Sequence, residues 1–134
     1  MRMHYMFPTL DFGTAGEDYY VIGPKGRKGK LVDYGVHHVT ETFTADTLPA
    51  YVSVGTAADP DAYGEELSLG TIGADAGSKS VRTSYRDAAT IETYILDAGL
   101  SLPADTKLRL VCTAPTGGTP AGMACPFMII DWED

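Results

Sequence analysis

His37 and His38 are the residues best suited to metal or acid–base chemistry, and their adjacency argues against a shared role. On an extended strand neighbouring rings point to opposite faces, so the pair cannot chelate one ion. His4 stands apart near the N-terminus, where solvent or a contact is its expected partner. Asp59-Pro60-Asp61-Ala62-Tyr63-Gly64-Glu65-Glu66 opens like a calcium loop, with Asp59, Asp61 and Gly64 in register. Tyr63 and Gly70 then fall where an oxygen ligand and the bidentate Glu belong, so the segment reads as a turn. Gly23-Pro24-Lys25-Gly26-Arg27-Lys28-Gly29-Lys30 fails the phosphate-loop pattern, because Leu31 follows Lys30 and Pro24 replaces a glycine. No serine occupies a Gly-x-Ser-x-Gly elbow. Cys112 and Cys125 lie within strand-like runs, where a thiol is small, buried and inert, and they lack metal-ligand spacing. Carboxylates are plentiful, but nothing singles out a glycosidase-like pair. The expectation is no catalytic residue, no metal and no cofactor: this chain is not an enzyme.

The elements that hold these residues read as strands. Leu31 to Phe43 is a long run rich in Val, Tyr and Thr, with Val32, Tyr34, Val36 and His38 on one face and His37, Val39, Glu41 and Phe43 on the other. Its apolar register changes near His37-His38, which predicts a bulge or bend. Tyr19–Ile22, Tyr51–Val54 (Val52 and Val54 inward), Leu67–Leu69, Ser80–Tyr85 and Thr90–Leu96 supply further strands, the last dense in strand formers. Asp87-Ala88-Ala89 allows one helical turn, while Gly99 and Pro103 leave no room for a long helix. Gly70 to Gly77 is a Gly- and Ala-rich stretch. Leu108–Thr113 and Cys125–Trp132 flank the loop 114–122 and read as a long hairpin. With the loop centred between Gly118 and Thr119, Cys112 faces Cys125, and Leu110 lies opposite Phe127.

About eight evenly spaced strands without sustained helical periodicity predict an all-β fold, a single antiparallel β-sandwich or jelly roll over residues 18–134. Residues 1–17 are rich in Met, Tyr and Phe without a clean period, and read as an extended N-terminal arm. Its apolar side chains need a surface, either the chain's own sandwich or a neighbouring subunit.

At 134 residues and 44% apolar content the chain is one globular domain with no run long enough to span a membrane. His4 and Pro8 interrupt the N-terminus too early for a signal-peptide core, so a reducing cytoplasm and two free thiols are expected. The net charge of −8 argues against nucleic acid as a partner. Four of the ten basic residues, Lys25, Arg27, Lys28 and Lys30, nevertheless fall within six positions. They suit an acidic partner surface or a solvated turn. The loop containing Thr116, Gly117, Gly118 and Thr119 is longer than a turn needs and is a second candidate contact. Tyr19, Tyr20, Tyr51, Tyr63, Tyr85 and Trp132 are candidates for a sugar-stacking platform or for core and interface rings.

Three stretches carry a resemblance: Gly23–Gly29, Val54–Tyr63, and Leu102–Thr106 with Ala114–Gly122. Together they resemble capsid decoration, or cement, proteins of tailed bacteriophages, which have a β-sandwich or jelly-roll body. The likeness covers residues 20–132. It implies a virion structural protein assembled in the host cytoplasm, bound to the major capsid protein on the outer capsid surface and stabilising the shell, and a homo-oligomer, dimer or trimer. On that implication Tyr5, Met6, Phe7, Leu10 and Phe12 anchor the arm to a neighbour, while Lys25, Arg27, Lys28 and Lys30 meet acidic capsid residues. The other reading of the same β body is a carbohydrate- or receptor-binding module of a virion.

Overall fold

The computed structural model describes residues 1–70, 72 and 78–134. In chain order it contains β1 (Arg2–Met6), β2 (Leu10–Asp11), β3 (Glu17–Val21), β4 (Gly29–Thr44), β5 (Tyr51–Gly55), β6 (Gly64–Ser68), β7 (Ser78–Ser80), α1 (Val81–Ser84), α2 (Ala88–Tyr94), a 3-10 turn (Asp97–Ser101), β8 (Leu108–Thr113) and β9 (Ala121–Trp132). One sheet has the order β1-β9-β4-β7, with β2 also on β9; the other has the order β3-β8-β5-β6. All pairings are antiparallel, and four of them nest: β1 with β9, β3 with β8, β4 with β7, and β5 with β6. The chain is one long hairpin rolled around its core, which is the jelly-roll arrangement of an all-β sandwich.

Period-2 patterning explains the layers. In β8, Leu108, Leu110 and Cys112 point inward and alternate with half-buried residues. Val52 and Val54 of β5 and Met128, Ile130 and Trp132 of β9 meet them across the core. The bend expected at His37-His38 is present. His38 has φ +53°, and residues 38–40 stand opposite Ala124 alone between the pairs His37↔Cys125 and Glu41↔Met123. This extra length lets Val36, Val39 and Phe43 all face the core despite their uneven spacing.

The glycines spaced three apart have a packing cause. A Cβ at Gly23 or Gly29 would lie 2.4 or 2.6 Å from the Trp132 ring, so only glycine admits the indole there. Gly26, at φ +74°, makes the turn between them, and its N–H donates to Asp105 Oδ1 at 2.9 Å. Gly29 and Leu102 exchange two backbone hydrogen bonds, 3.1 and 2.8 Å, which ties this turn to the Leu102–Thr106 loop.

Residues 1–17 form β1, β2 and a turn at residues 12–14, and most of their large apolar side chains pack on the chain's own body. β1 pairs with β9 from Arg2↔Asp131 to Met6↔Phe127. Tyr5 accepts a hydrogen bond from Trp132 Nε1 at 2.9 Å, and Phe7 stacks on Tyr19 at 4.4 Å between ring centres. Phe12, expected to reach a neighbour, is fully buried and packs edge-on against Phe43 at 5.2 Å.

Three local expectations are corrected. β8 and β9 do not pair: β8 already has β3 and β5 on its edges, so the chain crosses to the other sheet between Thr113 and Ala121. Cys112 therefore sits opposite Glu17 and Val52, Cys125 opposite His37, and Leu110 is not opposite Phe127. Both thiols are free, and burial pushes the Cys112 thiol far above its ordinary range. Within Ser80–Tyr85 only Ser80 is strand, because it caps α1 through a reciprocal Ser80–Thr83 box. Thr90–Leu96 is largely helical: Asp87 caps α2 by accepting the Thr90 N–H at 3.3 Å, which outweighs the strand preference of Ile91 and Tyr94. Of the Gly- and Ala-rich stretch, positions 71 and 73–77 lie outside the described residues. Ile72 packs on the core, and its carbonyl accepts the Phe43 N–H at 3.2 Å.

Phe12→Ala should cost about 3–5 kcal/mol in urea unfolding, whereas Ile22→Ala, at a 63% exposed site, should change stability by less than about 0.5 kcal/mol. A thiol reagent should label Cys125 alone in the native protein and both cysteines in denaturant, read by mass spectrometry.

Candidate interaction face

A buried carboxylate positions the helical segment. Asp33, on β4, is nearly enclosed and accepts three hydrogen bonds: Ser80 Oγ at 2.7 Å, Tyr34 N–H at 2.9 Å and Arg82 N–H at 3.1 Å. Arg82 Nε–H also donates to the Val32 carbonyl, so its guanidinium lies along β4. A carboxylate satisfied by three donors is a strong joint in a low-dielectric site. It fixes α1 to β4 and β7. Below it, the Tyr34 hydroxyl reaches the carbonyls of Glu65 and Tyr94 and locks α2 to β6. Burial, with Glu65 nearby, raises the Tyr34 phenol far above its ordinary range, so it stays protonated. Tyr85 and Tyr94 stack at 4.9 Å and share a 3.0 Å hydroxyl contact.

These joints present Leu100, from the 3-10 turn, to solvent at 45% exposure. Three adjoining hollows meet at this side chain. One is edged by Lys28, Lys30, Asp131 and Glu133. Another, of about 340 Å³, is edged by Arg82, Arg86 and Glu92 over a floor including Ile91 and Ile95. The third lies between Arg2, Lys30 and Arg82. The face holds five of the ten basic residues and three of the eighteen acidic ones, the reverse of the whole-chain balance. The face thus sets one exposed apolar side chain, Leu100, inside a mostly cationic rim.

The residues singled out from sequence distribute unevenly. Lys28 and Lys30 line this face; Lys25 is exposed on the adjoining turn, and Arg27 donates from Nη1 to the Glu133 carbonyl at 3.4 Å. The loop with Thr116, Gly117, Gly118 and Thr119 lies at the other end of the sheet, since β4 runs from Gly29↔Trp132 to Thr44↔Ala121. There it is tied down: Thr116 and Leu48 exchange backbone bonds of 2.9 and 3.2 Å, Asp46 N–H donates to the Gly117 carbonyl and Thr44 Oγ1 to that of Thr119. Of Tyr5, Met6, Phe7, Leu10 and Phe12, only Met6 is exposed, at 54%. Arg82, Arg86 and Leu100 were missed by sequence reasoning, although the Ser80-x-x-Thr83 cap was a local signal for the turn that aims Arg82.

The six candidate stacking rings do not share a platform. Trp132 and Tyr63 are buried, Tyr51 is half-buried at the start of β5, Tyr19 is covered by Phe7, and Tyr85 by Tyr94. Tyr20 is exposed but lies beneath Lys107 (4.2 Å) and Arg109 (4.7 Å), with Arg109 also paired to Asp18 at 3.0 Å. Of the Asp59–Glu66 segment, Asp59–Tyr63 is a turn closed by Thr56, whose N–H donates to the Asp59 carbonyl at 2.8 Å and whose hydroxyl accepts from Asp59 N–H at 3.1 Å, while Gly64–Glu66 begin β6. A hydrogen bond between the Asp61 and Asp59 carboxyl groups, with some burial, raises the Asp61 carboxyl above its usual range.

No family model, curated protein or solved structure matches this chain. Asp33→Ala should lower stability by about 1.5–3 kcal/mol in urea unfolding and strip hydrogen-exchange protection from the Arg82 amide.

Proposed function

We propose that the protein is a virion decoration protein: it binds the major capsid protein on the outer surface of a phage capsid and stabilises the shell. The observation that carries this reading is the cationic rim around exposed Leu100 on a chain of net charge −8. The acidic remainder keeps the protein off nucleic acid, while the basic face selects an acidic surface and sets orientation. Leu100 and the apolar floor beneath Arg82 and Arg86 supply the area that water leaves on docking. A capsid presents the same acidic patch many times, so modest single contacts that bridge neighbouring subunits add up to a large resistance to shell expansion. In this reading binding is the whole task, and the jelly-roll body is a rigid carrier for it. Gly23–Gly29 and Leu102–Thr106, two of the stretches that carry the likeness, bond to each other at the edge of the basic face.

Mixed with mature capsids of its virus, the protein should co-sediment to a fixed ratio per capsid subunit and raise the capsid melting temperature. Added salt should weaken binding by screening the rim. Leu100→Asp, and Arg82→Glu with Arg86→Glu, should each weaken binding by roughly 30-fold or more, the scale of losing an interface anchor. Absence of saturable binding, or full binding by both variants, overturns the proposal.

A further inference from the structure

The outward face of the β1–β9–β4 sheet, which shares Arg2, Lys30 and Asp131 with the basic face, carries an apolar strip that the basic face does not explain. Sheet faces turned to water alternate polar residues with buried apolar ones. In β9 the inward Met128 and Ile130 are buried as expected, yet Met123, Cys125, Phe127 and Ile129, at alternate positions on the outward side, are apolar too. Phe127 is only 7% exposed but lies outside the core cluster, against His37 at 5.8 Å between ring centres. Exposed Met6 is its neighbour on β1.

Charge is ordered around this strip. At one end Asp131 lies between Arg2 on β1 and Lys30 on β4. At the other end Met123 lies between Asp11 on β2 and Glu41 on β4. Residues paired across a ladder share a face, so all four flanking charges belong to the outward side. Asp131 is ion-paired with Arg2 at 3.8 Å, Asp11 accepts from Gly13 N–H and Thr14 Oγ1, and Glu41 accepts from Gly122 N–H. The basic and acidic ends are equidistant from Phe127.

We propose that this face binds a second copy of the chain, sheet on sheet, about a twofold axis lying across the strands over Phe127. That axis sets Arg2 above the second copy's Asp11 and Lys30 above its Glu41. It also sets Ile129 above Cys125 and Phe127 above Phe127. Both oppositely charged pairs form on the correct side of β9, and each occurs twice, as an isologous interface requires. Sheets packed at about −30° diverge by roughly 7 Å at the ends of such a strip, within reach of Arg, Lys and Glu side chains. Three strands over this length cover roughly 400 Å² per copy, about half of a standard interface, so the dimer belongs to the micromolar class. The proposal does not rest on capsid binding, and its test uses the protein alone.

Sedimentation equilibrium at about 100 μM should find the dimer in the wild type. Lys30→Glu and Glu41→Lys, separately, should each weaken it by about tenfold or more, because each sets like charges against each other at both ends. Mixed one to one, the two variants should associate with each other, since every opposed pair is then of opposite sign. Arg2→Glu, on the exposed edge strand, should weaken the dimer as Lys30→Glu does and serves in its place should that variant not fold. A wild type that stays monomeric, or a mixture no more associated than its components, overturns the proposal.

Discussion

β9 lies between β4 on one edge and β1 and β2 on the other, and the rest of the molecule depends on that double pairing. From Gly29↔Trp132 to Thr44↔Ala121 it sets the length of the sandwich. It also brings the Trp132 indole onto Gly23 and Gly29, which seats the basic turn beside the 3-10 segment. Because β4 is held so firmly, Asp33 and Tyr34, adjacent on it and pointing to opposite sides, can each pin a different part of the helical segment. A backbone ladder thus becomes the reference frame for side chains that no ladder hydrogen bond touches.

How much of this was legible depends on whether the cause was local. Alternation in Leu108–Cys112 and Tyr51–Val54 reports one buried face, and those strands appear where expected. The change of apolar register at His37 likewise reports the bend directly. Alternation says nothing about which strand lies alongside, so the nearest partner in sequence seemed natural for β8, and the sheet assignment of β9 was lost. Thr90–Tyr94 is a different case: its strand preference is real, and a single capping carboxylate at Asp87 outweighs it.

The candidate face was half legible. The cluster from Lys25 to Lys30 is contiguous in sequence and could be found there; Arg82, Arg86 and Leu100 join it only through the Asp33 joint and the Gly29–Leu102 bridge. The glycine triplets are the opposite case, a conspicuous pattern whose outer members, Gly23 and Gly29, answer to one distant aromatic ring while Gly26 makes the turn between them. In both cases the missing information is a contact between segments far apart in the chain.

Nested pairing also orders how the molecule comes together during synthesis. β5 and β6 close across residues 56–63, whereas β1 and β9 close across residues 7–120, a difference in loop-closure entropy of about 2 kcal/mol. Everything up to Thr113 can emerge from a ribosome with the long β4 still bare along one edge. The strand that covers it is the last to appear. Until β9 has been made, β4 is therefore the segment most in need of protection.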